Sequence, residues 1–415
     1  MFGGVSVAKR IVFRNAFLID GQGSEPIDNG LVVVEDDRVV HIGVCAKEDL
    51  DNWNHDAEDI DLQGMTLMPG LIDVHVHLSL DGSVDYVLKM LKERSELTVL
   101  KAAQRVKKAL ESGYTTLRCM GDKDQIDIAL KVAIEEGVIT GPRIVASGNV
   151  LTITGGHGDM FPPGVHAKGL GRIVDGADEA RKGAREQLKA GADNIKLMAT
   201  GGGMSPGPGT VAQLSVAEMQ AAVEEAENYG ITTGAHAIGS QGIINALEAG
   251  VRTIEHGSFL DEKGIELLLE KESFLVPTLS AFKTLKYGKD GGVSEDVLKK
   301  VQYFSTAHTD NLKKAISAGV QIVAGTDAGT PFNYLGDNAY ELECLVSNGL
   351  SPMQAIQSAT KIAAKALKLE NLGTIETGKI ADLIVVDGNP LANINILQEK
   401  ERIKKVYKEG KAIKQ

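Results

Sequence analysis

Cysteine is scarce in this 415-residue chain: Cys45, Cys119 and Cys344 are scattered, and no CxxC pair occurs. That excludes a disulfide framework and a thiolate zinc site, so any metal must be held by nitrogen and oxygen donors. Long apolar runs are missing too, and none approaches the roughly 20 residues that span a bilayer. The opening MFGGVSVAKRIVFRNAFLIDG has no continuous apolar core and no clear cleavage site. No secretory leader is therefore expected, and a cytoplasmic setting is the default. Basic residues are in deficit, with 44 Lys and Arg against 56 Asp and Glu and a net charge of −12. A nucleic-acid partner would need concentrated Lys and Arg, so a small molecule is the expected ligand. The dinucleotide-binding glycine fingerprint after the first parallel strand is also absent.

What is present is a rhythm. An amphipathic helical stretch, a glycine and a short β-rich run recur in ALESGYTTLRCMG, QLKAGADNIKLMATGG, EAENYGITTGAHAIG, ALEAGVRTIEHGS and AISAGVQIVAGTDAG. Gly113, Gly191, Gly230, Gly250 and Gly319 fall where a helix end favours a residue at positive φ. SVAE at 215–218 reads as a capping box, and Ser351-Pro352 as an N-cap followed by proline. Continuous apolar runs after the glycines are the mark of parallel strands buried on both faces. Eight are expected, at 67–77, 114–120, 143–148, 194–200, 232–237, 253–257, 274–279 and 321–326. Eight βα units predict an α/β fold, a (β/α)8 TIM barrel. The flanks differ: 10–65 and 373–415 alternate as short strands around turns. They predict a small β-sandwich built from both chain ends, 1–66 plus 370–415, bracketing a barrel at 67–369. The first barrel strand would leave it through Met68-Pro69-Gly70.

Barrel sites form at strand C-termini. GLIDVHVHLSL at 70–80 places His75 and His77 on one face of the first strand, with Asp73 below. Later strand ends offer Lys196, His236, His256 and Asp327. Singly, each histidine is explained by a hydrogen bond and Asp327 by helix capping. Together they form a set of metal donors. Four histidines and an aspartate suit one metal with a spare position, or two metals. Lysine in a buried strand is disfavoured unless paired or neutral. A cation beside divalent metals would lose its proton, and the free amine can add carbon dioxide to give a bridging carbamate.

GLIDVHVH, the strand-4 lysine, GAHAIG, IEHGS and AGTDAG together resemble the amidohydrolase superfamily. Within it they are similar to the imidazolonepropionase-related branch, which holds Xaa-Pro dipeptidases, arginine or lysine carboxypeptidases and an ochratoxin-hydrolysing amidase. The likeness spans nearly the whole chain, including the KIADLIVVD signature. It implies two zinc ions bridged by Lys196 as N6-carboxylysine. His75, His77 and Asp327 would hold the first ion, and His236 and His256 the second. Paired ions would acidify a bridging water toward a pKa of roughly 7. Asp327 would act as general base and return the proton to the leaving amine. The reaction expected is amide hydrolysis of a dipeptide or N-acyl amino acid by the metal-bridging hydroxide. The competing expectation is a mononuclear cyclic-amide hydrolase or deaminase, which generally lacks the strand-4 lysine. A non-catalytic scaffold would have lost ligands.

Two loops bear on the substrate. TITGGHGD carries His157, expected beside the substrate carbonyl by the same resemblance. GGGMSPGPGT, glycine-rich without the GK[ST] of a phosphate loop, is a cover over the site or a plain connection. Ile238, two residues after His236, stands where some dipeptidase relatives carry Tyr or His, which argues against proline specificity. His41, His55, His166 and His308 read as structural or surface residues. The helical stretch at 85–111, with Leu88, Leu91 and Val99, is expected to pack on the barrel or mediate association. Relatives form homo-oligomers, and the resemblance extends that expectation here.

Overall fold

The structure, a computed structural model, describes residues 9–414 apart from 54 and 206. Part of the segment behind the leader expectation, residues 1–8, lies outside these. Five strands open the chain: β1 (Arg10–Leu18), β2 (Ile27–Glu35), β3 (Arg38–Val44), β4 (Ala57–Asp61) and β5 (Thr66–Pro69). Nine follow, separated by helices except at β8-β9-β10: β6 (Leu71–Val76), β7 (Tyr114–Cys119), β8 (Arg143–Val145), β9 (Val150–Thr152), β10 (Gly171–Ile173), β11 (Asn194–Met198), β12 (Thr232–Ala237), β13 (Thr253–His256) and β14 (Phe274–Val276). Three close it: β15 (Leu383–Val386), β16 (Ile403–Lys408) and β17 (Lys411–Lys414).

Both chain ends share one mixed sheet, ordered β17-β16-β15-β5-β1-β2-β3 with β4 paired to β1. Period-two alternation builds its two faces. Ile11, Phe13, Val32 and Val34 enter one apolar cluster, while Val12, Leu31 and Val33 enter another on the opposite side. Phe13 meets Tyr407 edge to face, with ring centroids 5.0 Å apart, so the first strand packs on one of the last.

The remaining strands pair in parallel, as β6-β7-β8 and as β10-β9-β11-β12-β13-β14. Residues 321–328 form no regular strand, yet their backbone bonds both ways. Val323 donates to Leu275 of β14 at 2.9 Å, and Val74 of β6 donates to Ala324 at 3.1 Å. On the other side, Asp193 and Asn194 both donate to the carbonyl of Ala146, just past β8. The architecture is α/β, as expected from the rhythm.

Several expectations need correction in detail. The run 67–77 is two strands, because β5 pairs with β1 and β15 while β6 pairs with β7. The chain crosses between sheets at Gly70, where a Cβ would lie 2.4 Å from Thr115 Oγ1; only glycine permits that approach. The third and seventh strands are shorter than expected, and β9 and β10 were not foreseen. They end in loops, where apolar pattern carries little information. Helix ends follow the sequence closely. The five helix-ending glycines have φ between 71° and 106°, and Ser215 and Ser351 both form capping boxes. The 85–111 stretch is two helices, Tyr86–Lys92 and Ser95–Glu111.

Candidate metal centre and active site

The C-terminal ends of β6, β11, β12 and β13 and the 321–328 segment converge on a cavity of about 140 Å³ lined by His75, His77, Lys196, His236, His256 and Asp327. The imidazoles form a continuous chain. Ring centroids lie 5.5 Å apart for His77 and His75, 5.2 Å for His75 and His256, and 4.5 Å for His256 and His236. His157 extends it, 4.3 Å from His236. His75, His77 and Asp327 are closest, each offering a donor atom within 4.8 Å of the others. Asp327 Oδ1 is 3.2 Å from His77 Nε2 and 3.5 Å from His75 Nε2.

The four strand-end imidazoles, His75, His77, His236 and His256, are each fixed through the outward nitrogen. His75 Nδ1 donates to Glu255 Oε2 at 2.7 Å, and His77 Nδ1 to the Gly121 carbonyl at 2.7 Å. His236 uses the other nitrogen, its Nε2 donating to the Gly201 carbonyl at 2.8 Å. His256 Nδ1 donates to Thr278 Oγ1 at 2.6 Å, whose own proton goes to the Pro277 carbonyl. Carbonyls and carboxylates only accept, and the Thr278 proton is already used. The rings of His75, His236 and His256 are thus set in the tautomer that presents a lone pair on the inward nitrogen, whereas the inward Nε2 of His77 faces Asp327, which raises the His77 pKa against the effect of burial. Such outer hydrogen bonds are what orient metal-binding histidines. The donor set therefore fits divalent metal.

Electrostatics agree. Burial, with the field of Lys196, holds the His75 pKa well below the ordinary imidazole value. Burial lowers His256 to about 3 and, with the fields of His157, His256 and Lys196, depresses His236 strongly. Both stay neutral lone-pair donors. Burial alone would raise the Asp327 pKa, but the His77 hydrogen bond and the His75, His77 and His256 fields outweigh it. The carboxylate is held below its ordinary range. Lys196 is buried on β11, where desolvation lowers its pKa to about 8 despite Glu255 and Asp327. It makes no ion pair within 4.0 Å among the described residues. Two of these residues are also backbone outliers: His256 has φ 70° and Asp327 φ 59°. Such left-handed positions cost about 1–3 kcal/mol each and cluster at functional sites.

A match to the family model described as "Amidohydrolase family" covers residues 66–413. The chain belongs to the amidohydrolase family. Ochratoxinase from Aspergillus niger is 32% identical over 98% of this chain and 87% of its own length. Its crystal structure superposes with a TM-score of 0.88 at 31% identity, covering 99% of this chain and 96% of that one. The crystal structure of a Xaa-Pro dipeptidase with bound methionine in the active site gives 0.86 at 34% identity, covering 97% and 99%. Imidazolonepropionase from Shouchella clausii is 25% identical over 93% of this chain and 86% of its own. This amidohydrolase is a hydrolase acting on carbon–nitrogen bonds. No helix among its described residues is long and apolar enough to cross a membrane.

The structure brings His157 and Ile238 to the same cavity. His157 N–H donates to Gln213 Oε1 at 2.9 Å, while its ring Nδ1 has no partner. A Cβ on Gly202 would lie 2.3 Å from His157 Cε1, so the glycine-rich loop makes room for that ring. Of the four other histidines, His308 is buried on the helix Glu295–Ser317, against Phe282. His41 packs on Trp53, and His166 is exposed. Sequence reading missed the supports of this amidohydrolase site. Arg118 and Glu255 are fully buried, 2.8 Å apart, with Arg118 also donating to Val74 O and Thr253 Oγ1. Asp73 accepts from the His75 and Thr326 amides, the Thr326 hydroxyl and Asn338. The signal available was a charge inside an apolar strand, the same one that singled out Lys196.

Proposed function

We propose that this amidohydrolase is a binuclear, zinc-dependent enzyme hydrolysing the amide bond of a small substrate, beginning with dipeptides and N-acyl amino acids. One observation carries the reading: four oriented imidazoles and a carboxylate surround a desolvated lysine in one cavity. The parallel strands are read as a closed (β/α)8 barrel, supported by the bonds of 321–328 to β14 and β6. The mixed sheet of the chain ends is read as the second domain, with the first boundary at Gly70 because β5 pairs in that sheet.

In this reading His75, His77 and Asp327 hold one ion and His236 and His256 the other. Lys196 Nζ would add to carbon dioxide and release a proton, and the resulting carbamate would supply a further anionic oxygen donor. When bound, the ions supply an acidified water and a Lewis acid for the scissile carbonyl. Asp327 would serve as general base for the attacking water and return the proton to the amide nitrogen, which otherwise leaves poorly. His157, enclosed in the cavity with its ring Nδ1 unpartnered, donates to the acyl oxygen. Half-exposed Leu88, Leu91 and Leu97, with the more exposed Leu100, on the two helices of the 85–111 stretch support a homo-oligomer.

Metal analysis joined to an amide screen tests the proposal. Two zinc per chain and release of free amine are expected, and Lys196→Ala should lose at least one equivalent. A mononuclear reading is favoured by one observation: of the proposed donors, His75, His77 and Asp327 share a 4.8 Å cluster that His236 and His256 do not join among the described residues. One zinc per chain in the fully loaded protein, unchanged by Lys196→Ala, would establish it instead.

A further inference from the structure

The cavity divides by charge. Lys196 and Asp327 are the only Lys, Arg, Asp or Glu side chains among the described residues lining it, and both belong to the cluster of imidazoles. Elsewhere the wall is apolar, with Leu80, Met198, Ile238, Phe282, Val301 and Phe304. Its remaining polar groups include the hydroxyls of Tyr86, Ser258 and Thr284, which suit a carbonyl or ether oxygen. The cation on the neighbouring helix is turned elsewhere: Lys300 Nζ donates to the carbonyls of Ser205 and Gly207, each at 2.8 Å. A carboxylate carried next to the scissile nitrogen would therefore be desolvated against a wall with no cationic side chain to meet it, an arrangement proteins avoid. An apolar group in the same place gains from burial.

We propose that the preferred substrates are neutral and apolar on the amine side: N-acyl amines, or N-acyl amino acids whose carboxyl is masked. This rests on the amide-hydrolase reading, with Lys196 committed as the carbamate, and within amides moves the preference from the free carboxylates of dipeptides and N-acyl amino acids to neutral amine sides. The reaction balances without a further reactant. Water gives its hydroxyl to the acyl carbon, the carbon–nitrogen bond breaks, and the nitrogen leaves with the other proton. The products are one carboxylic acid and one amine.

The test uses the zinc-loaded full chain and a matched pair, N-(2-naphthoyl)phenethylamine and N-(2-naphthoyl)-L-phenylalanine, which differ only in the α-carboxylate. The neutral amide is expected to have kcat/KM at least about tenfold higher, the scale of an unpaired buried charge. Equal or faster hydrolysis of the anion overturns the inference while leaving amide hydrolysis intact. If neither turns over, the proposed amide-hydrolase reading has failed for this acyl group, and calorimetric Kd values decide the inference alone. Tighter binding of the neutral compound supports it, and equal or tighter binding of the anion overturns it. Ile238→Arg sets a cation in the wall and is expected to shift the kcat/KM ratio at least about tenfold toward the anion. An unchanged ratio counts against charge as the discriminator.

Discussion

Glu255→Gln isolates the support beneath the candidate metal centre. In the native protein Glu255 accepts from Arg118 at 2.8 Å and from His75 Nδ1 at 2.7 Å, with both charged side chains fully buried. Glutamine keeps the shape and an acceptor for His75 but leaves Arg118 charged and uncompensated. Breaking a buried pair this way costs about 3–5 kcal/mol. With an unfolding entropy of about 2.1 cal/mol/K per residue, a chain of 415 residues should melt roughly 3–6 °C lower. Differential scanning fluorimetry of metal-stripped protein reads this directly. The double variant Arg118→Met with Glu255→Gln removes both charges and should recover at least half the loss. Zinc affinity of the single variant should also fall by about 10–100-fold, because His75 loses an anionic partner. Equal melting temperatures for the single variant and the wild type would refute the argument. So would a double variant no more stable than the single one.

Other expectations follow from the same geometry. Asp327→Asn should keep the fold, seen as unchanged circular dichroism, while kcat for an amide substrate falls at least about 10²-fold, the scale of a lost general base. Gly202→Ala puts a methyl 2.3 Å from His157 Cε1; displacing that ring should lower kcat with little change in metal content. His308 supplies the pH test: it is buried, its pKa is lowered to about 4 by desolvation, and neither ring nitrogen has a well-formed hydrogen bond. Its unfolded form takes up a proton near 6.5, so stability is full above that pH and drains away as pH falls toward 4. The loss at pH 5 is roughly 2 kcal/mol. His308→Phe should flatten that part of the stability curve measured by urea titration, and an identical slope would remove His308 from the account.

The chain announced its site unusually well because the signals are local. A glycine that ends a helix, a short apolar run and a polar residue at the run's end all lie within about a dozen residues of one another. Their order therefore located β7, β11, β12 and β13 and singled out Lys196, His236 and His256. The split at Gly70 was half legible: the exit point was readable, but not that β5 pairs with β1 and β15, since partner strands lie far away in sequence. The regular eighth strand was expected where only paired backbone at 321–328 exists.

Residue identities and their spacing alone determined the α/β alternation, the helix caps and which polar side chains line the candidate site. Packing alone decided which nitrogen of each imidazole faces inward. The acceptor for His77 is 44 residues away and that for His75 is 180, distances over which no local pattern carries information. The same holds for Arg118 and Glu255 and for the uncharged wall around Ile238. Burial and partnership belong to neighbours in space, and those are assigned only when distant segments fold together.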